Sequence, residues 1–264
     1  MQASAYSVEK VAGGFGFTEG PVFSRRGYLL FSDIPANRIM KWEHGKVTVF
    51  REKSNGTNGL TFDHQGRLLA CETGRVTRTE KNGSITTLAQ KGLTRPNDIV
   101  YAIDGAIYFS DLVPRDASGK SLVYRITRQG ELRVANGDCE RPNGVALAPD
   151  QRKLYVADSG ARNVRVFDIA ADGALGGGRI FADLKSDEPG VPDGLKTDES
   201  GGVWVAASGG IWVFDKEGRR VQIIKTPEPP ANCGWGEGFH NLYVTARTSV
   251  YKVQTNRVNG TRTY

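Results

Sequence analysis

The chain has 264 residues, 39% hydrophobic and 24% charged, enough to bury a sizeable core in one soluble body. Its formal charge of +6 comes from Lys and Arg scattered singly or in pairs such as Arg25-Arg26 and Arg219-Arg220, with acids between them. No basic stripe therefore tracks a nucleic-acid backbone, no apolar run reaches membrane-span length, and the excess charge suits mild attraction of small anions.

In chain order, residues 1–10 lack the basic start and apolar core of a signal peptide, so the chain reads as cytoplasmic. Removal of a signal before the first residue would give a periplasmic or secreted protein the same sequence. Residues 6–11 alternate apolar and polar like a strand but belong to no local unit. Six units follow, each opening on an oxygen donor: Glu19, Asn58, Asn97, Asn143, Asp193 and Asn232. The donors are 39, 39, 46, 50 and 39 residues apart. Each lies 14 residues before the end of an apolar run (15 in the fourth unit): Phe31-Ser32-Asp33, Ala70-Cys71-Glu72, Phe109-Ser110-Asp111, Val156-Ala157-Asp158, Val205-Ala206-Ala207 and Val244-Thr245-Ala246. A phase held six times marks a repeat architecture.

Within a unit the pattern is that of strands. Leu60-Thr61-Phe62, Ile99-Val100-Tyr101 and Val145-Ala146-Leu147 are short apolar strands after their donors. Asp- and Gly-rich turns such as residues 63–66 and 198–201 lead to a second strand, because Asp and Gly tolerate the backbone angles of tight hairpins. Residues 37–42, 122–126 and 164–168 alternate as third strands, and 46–50 and 131–134 supply fourth ones. The sixth unit has no fourth strand, only a polar tail after residue 253, so residues 6–11 are expected to pair near residue 250 and close the ring. No linker interrupts the repeat, so residues 1–264 read as a single all-β domain. It is a six-bladed β-propeller with four antiparallel strands per blade, closed by its N-terminal strand.

Inner strands of a propeller line its central channel, so the six donors are expected to form a ring about the axis. Two carboxylates and four amides, with no His or Cys among them, suit a hard divalent cation: Ca²⁺ first, with Mg²⁺ or Mn²⁺ as alternatives, and Zn²⁺ less suited because it favours nitrogen and sulfur. Cys71, Cys139 and Cys233 offer neither a disulfide framework nor a zinc spacing, and Cys71 reads as a small core residue. His44, His64 and His240 fall in polar turns and read as surface residues. Asp33, Glu72, Asp111 and Asp158 end second strands and are expected to hydrogen-bond the connections between blades, while Asp98 is expected to orient its neighbour Asn97. Trp235 is placed either as one wall of a substrate pocket or in the core. Residues 112–120 form a Pro- and Gly-containing loop that could serve as a lid, bringing Arg115 to select anionic or hydroxylated substrates.

Thr18-Glu19-Gly20-Pro21-Val22-Phe23, Phe31-Ser32-Asp33-Ile34-Pro35, Asn58-Gly59-Leu60-Thr61-Phe62-Asp63, Arg95-Pro96-Asn97-Asp98, Pro142-Asn143-Gly144-Val145 and Val191-Pro192-Asp193-Gly194-Leu195 together resemble the gluconolactonase/regucalcin family over nearly the whole chain. The resemblance implies one divalent cation in the channel, held by Glu19, Asn143 and Asp193, with Asn97 as a fourth ligand or a substrate contact. It implies Arg95 as a sugar contact, Asn58 and Asn232 in support, a small-molecule lactone as substrate, and no nucleic acid, membrane or obligate protein partner. The implied chemistry is lactone hydrolysis: the cation polarises the carbonyl and Asp193 takes the proton of the attacking water. Two alternatives use the same ring. Hydrolysis of phosphotriesters would exploit the same cation, and a non-catalytic calcium-binding propeller would use it only as a binding centre.

Overall fold

The computed structural model describes residues 6–255 and 258–261. These form twenty-four strands, and among the described residues no helix is long and apolar enough to cross a membrane. The strands make six four-stranded antiparallel sheets, five of them from consecutive strands. The innermost strands are Thr18–Ser24, Leu60–Phe62, Pro96–Tyr101, Pro142–Leu147, Leu195–Thr197 and Pro230–Gly236. Each packs on the inner strand of the next blade, and the first packs on the sixth, so the sheets form the ring expected of a six-bladed propeller.

Closure occurs where the sequence pattern places it. The sixth sheet continues through Asn241–Ala246 and Ser249–Gln254, and its outermost strand is the N-terminal Ser7–Gly13. That strand pairs antiparallel from Ser7 opposite Gln254 to Gly13 opposite Ser249. The two ends of the chain thus share one sheet, which leaves the last blade no missing strand.

Hairpins inside the blades repeat one device. Asp63 Oδ1 accepts the N–H groups of Gln65 and Arg67, each at 2.9 Å, and Asp198 Oδ1 likewise accepts those of Ser200 and Gly202 at 2.9 Å. The carboxylate thereby satisfies the turn's donors locally and fixes the register of the strands that follow.

The apolar core is divided. Six separate clusters of buried side chains lie one at each seam between adjacent blades, such as Leu30, Ile39, Leu60, Phe62 and Leu68 between the first and second. Cys71, Cys139 and Cys233 are buried free thiols, as expected of small packing residues. With the hydrophobic material at the seams, the channel is left for other chemistry.

Residues 258–261, in the polar tail, lie across one end of that channel. Glu199 N–H donates to Asn259 O at 2.9 Å, Thr261 N–H donates to Thr197 O at 3.0 Å, and Gly260 lies against the indole of Trp235.

Candidate active site

The six donors stand at the other end of the channel, at or just before the starts of the inner strands. Pairing with the second strand is interrupted at this point in four blades, between Glu19 and Val22, Pro96 and Ile99, Pro142 and Val145, and Pro230 and Asn232. Such bulges release a residue from the ladder and re-aim its side chain. In three of these blades the connection leading into the bulge is held by the acid that ends the second strand. Asp33 Oδ1 accepts from Gly16 N–H at 3.1 Å, Asp111 Oδ1 from Arg95 N–H at 2.7 Å, and Asp158 Oδ1 from Arg141 N–H at 2.9 Å. These carboxylates therefore do what the sequence suggested, clamping the connections between blades and with them the donors.

Serines in or just after three of the second strands tie the backbone at or beside a donor in the next blade to the blade before it. Ser32 Oγ donates to Asn58 O at 2.7 Å, Ser159 Oγ donates to Pro192 O at 2.7 Å, and Ser110 Oγ donates to Asn143 O. Gly20 and Gly194 are required by the same closeness. A Cβ on Gly20, whose φ is +54°, would lie 2.3 Å from Asn58 O, and one on Gly194 would lie 1.9 Å from Asn232 Cγ.

Glu19 and Asn232 meet directly: Asn232 Nδ2 donates to Glu19 Oε2 at 3.0 Å, and the same oxygen accepts Gly20 N–H at 2.7 Å. Asn232 Nδ2 also lies 3.4 Å from Asp98 Oδ1. Asp98 is buried and does not orient Asn97, contrary to the sequence expectation; its Oδ2 accepts Val145 N–H at 3.0 Å and so links the third blade to the fourth. The sequence carries a signal for this role. The residue after the donor is glycine at Gly20, Gly59, Gly144 and Gly194, but Asp98 in the third unit, where a side chain reaches toward the axis.

Electrostatically the ring lacks positive charge. Burial pushes the Glu19 carboxyl up to about 7, and the Asp98 charge adds to this, against hydrogen bonds from Gly20 and Asn232 and the charge of Lys196. Burial, then the charges of Glu19 and Asp98, raise Asp193 well above the usual carboxylate range, against a hydrogen bond with the Asn143 side chain and the charge of Arg247. Two amide oxygens add to the imbalance. Asn143 Nδ2 donates to Ser159 Oγ at 3.1 Å, but Asn143 Oδ1 and Asn58 Oδ1 are buried without a hydrogen-bond partner. Each orphaned oxygen costs about 1–3 kcal/mol unless a ligand satisfies it.

Among the described residues no group of three or more His, Cys, Asp or Glu side chains gathers as an ion site, so a cation here would depend on the amides. The donor set fits that role. It offers hard oxygens only, two of them unsatisfied, beside two carboxylates that are costly to charge alone.

Beside the ring lies a cavity of about 170 Å³, walled by Asn58, Asn97, Arg95, Arg141 and Leu112 among others. Arg95 thus stands next to two donors. Leu112 brings the 112–120 loop to the cavity edge, and the loop is tied there by Leu112 N–H to Arg95 O and by Arg141 Nη1 to Val113 O, each at 3.1 Å.

Trp235 corrects one expectation. It is not at this mouth: its inner strand carries it about 10 Å further along the channel than Asn232. There it is buried, donates Nε1–H to Thr197 O at 2.8 Å and packs edge-on against Trp204. It is a packing residue of the far end. His44, His64 and His240 are exposed, as predicted.

Arg141 and Lys196 were not read as site residues from the sequence. Arg141 had a usable signal, because Arg141-Pro142-Asn143 repeats Arg95-Pro96-Asn97 one unit on. Lys196 had none; it acts on Glu19 across a channel that only the fold creates.

The protein family described as SMP-30/Gluconolactonase/LRE-like region matches residues 17–248. The chain is 29% identical to the gluconolactonase of Zymomonas mobilis subsp. mobilis, over 94% of this chain and 81% of that protein. It is 33% identical to the regucalcin of Danio rerio, over 86% of this chain and 82% of that protein. Among solved structures, the gluconolactonase XC5397 from Xanthomonas campestris superposes with a TM-score of 0.86 at 30% identity, covering 94% of this chain and 89% of that one.

Proposed function

Because the chain belongs to the SMP-30/Gluconolactonase/LRE-like family and is a lactonase, we propose that it opens a sugar-lactone ring with water at the channel's donor ring, and that it works with one divalent cation. The observation that carries this reading is the pair of buried, unsatisfied oxygens, Asn58 Oδ1 and Asn143 Oδ1, beside two carboxylates raised by burial. Glu19, Asn143 and Asp193 hold the ion, with Asn97 completing the set or contacting the substrate, and Ca²⁺ suits the all-oxygen donors best. When bound, the ion neutralises the carboxylates and polarises the lactone carbonyl.

The remaining steps belong to the chain's own groups. Arg95, with Asn97 and Asn58, orients the sugar hydroxyls in the cavity beside the ring. Asp193 accepts a proton from water as the water oxygen bonds to the carbonyl carbon. The ring C–O bond then breaks, and Asp193 returns the proton to the departing ring oxygen, giving the open hydroxy acid. Glu19 keeps its place through Gly20 N–H and Asn232 and leaves the proton transfer to Asp193.

Metal content by elemental analysis, together with a lactone panel on wild type and Asp193→Ala, tests both parts. Loss of a general base costs about a hundredfold to ten-thousandfold, so Asp193→Ala is expected to lose turnover by at least the lower figure even where ion is retained. An unchanged kcat in a folded variant overturns the assignment of the base. Full turnover by metal-free wild type overturns the assignment of the ion.

A further inference from the structure

The cavity beside the ring contains two guanidiniums and no acid. Arg95 and Arg141 both line it, each two residues ahead of a ring amide in the duplicated Arg-Pro-Asn segment, and its wall includes no Asp or Glu. Elsewhere Arg51 pairs with Glu72 at 2.7 Å and Arg67 with Asp63 at 2.7 Å. Among the described residues neither Arg95 nor Arg141 forms an ion pair within the chain, and the one side-chain hydrogen bond recorded for either, Arg141 Nη1 to Val113 O, uses a neutral acceptor. Gathering like charges around a cavity costs free energy that a bound anion offsets.

We propose that the lactone taken by this site carries an oxyanion, a carboxylate or a phosphate, at the end of its carbon chain remote from the ring carbonyl, and that Arg95 and Arg141 hold that group. The inference rests on the lactonase reading above and adds the substrate's charge. Its geometry follows from the ring: a carbonyl placed at Asp193 and Asn143 leaves the rest of the molecule to run past Asn97 into the cavity. Guanidinium suits the task because its fork meets both oxygens of a carboxylate or phosphate. The net charge of +6 raises the local concentration of such a substrate.

The test compares D-glucono-1,5-lactone, which is neutral, with D-glucaro-1,4-lactone and 6-phospho-D-glucono-1,5-lactone on wild type, Arg141→Gln, Arg95→Gln and Arg141→Lys. One anionic lactone should exceed the neutral one in kcat/KM by about tenfold or more, and which one does so identifies carboxylate or phosphate. Arg141→Gln should cut that anionic-to-neutral ratio by about tenfold to a hundredfold through KM, with Arg141→Lys between it and wild type. Equal use of neutral and anionic lactones by wild type, or an equal loss on all three in Arg141→Gln, overturns the proposal.

Calorimetric binding of D-glucarate, 6-phospho-D-gluconate and D-gluconate gives a readout that needs no turnover. If no lactone is hydrolysed, the lactonase reading fails. The anion site then stands if either of the two acids with a second anionic group binds more tightly than gluconate and loses that advantage in Arg141→Gln, and falls if neither does.

Discussion

The two ends of the channel are made by the same six inner strands and differ in nearly everything else. At their starts stand Glu19, Asn58, Asn97, Asn143, Asp193 and Asn232, with two orphaned amide oxygens and two carboxylates raised by burial. A few residues further along, Trp235 gives its N–H to Thr197 O, the Thr197 hydroxyl donates to Leu147 O, and the tail at Gly260 and Thr261 lies across the opening. One end leaves polar groups unsatisfied and open to a ligand, while the other satisfies its groups from within the chain. The lesson is that stability and reactivity are separated along each strand, so a change at one end should register mainly in one of the two properties.

The largest expected effect breaks the first end alone. Chelation of the divalent ion should abolish lactone turnover, a loss of about a hundredfold or more, while circular dichroism stays that of a folded β protein. The thermal midpoint should fall, because a ligand held a hundredfold above its Kd contributes about 2.7 kcal/mol to the folded state. Restoring Ca²⁺ should return both. Unfolding on chelation would mean that the ring is also a structural centre, and the separation would fail.

Trp235→Ala attacks the second end. A buried Trp truncated to Ala costs about 3–5 kcal/mol through lost burial and the cavity left behind, and here the N–H bond to Thr197 goes as well. Denaturant unfolding should show that loss, while kcat/KM of the folded fraction stays within about threefold of wild type, since a packing residue at this distance touches no reacting group. A drop in kcat/KM as large as that of Asp193→Ala would place Trp235 back in the site.

How much of this arrangement was legible depended on whether the determining contacts are local. The blades were readable because each is a run of hairpins whose turn acids, such as Asp63 and Asp198, bind N–H groups two and four residues on. The ring donors were readable because repetition puts them in phase. Asp98 was misread because its partners, Asn232 and Val145, are 134 and 47 residues away, and no local pattern announces such contacts. Of the two placements open for Trp235, core and pocket wall, the structure shows the core, and the reason is simple. Proximity in sequence to Asn232 is not proximity to the mouth, because three residues of strand already carry a side chain about 10 Å along the axis. Arg141 could have been found by extending the Pro142-Asn143 match one residue back to the copy at Arg95.

The smallest expected effect tests whether ring closure belongs with the stabilising elements. Glu228, on the connection into the sixth blade, accepts from Thr248 N–H at 2.8 Å, the Thr248 hydroxyl at 2.9 Å and the Tyr251 hydroxyl at 2.9 Å, and also from the Ser249 hydroxyl. Lys10, on the N-terminal strand that completes the blade, lies 3.9 Å from the same carboxylate. Burial works to raise this carboxyl, but the hydrogen bonds from Ser249, Thr248 and Tyr251 outweigh it and hold it at about 2, below its ordinary 4.5. A carboxyl depressed by folding contributes its full stability above the unfolded value and loses it as pH falls through the folded one. The contribution should therefore be intact above pH 4.5 and fade toward pH 2. Glu228→Gln should lower unfolding free energy by about 1–3 kcal/mol at neutral pH, the range for hydrogen bonds to a charged group. The gap between variant and wild type should close as pH falls from 4.5 toward 2, with turnover of the folded variant near wild type. A gap that persists unchanged at the acid end would assign the loss to packing rather than charge, and a selective loss of turnover would tie the closing blade to the reactive end of the channel.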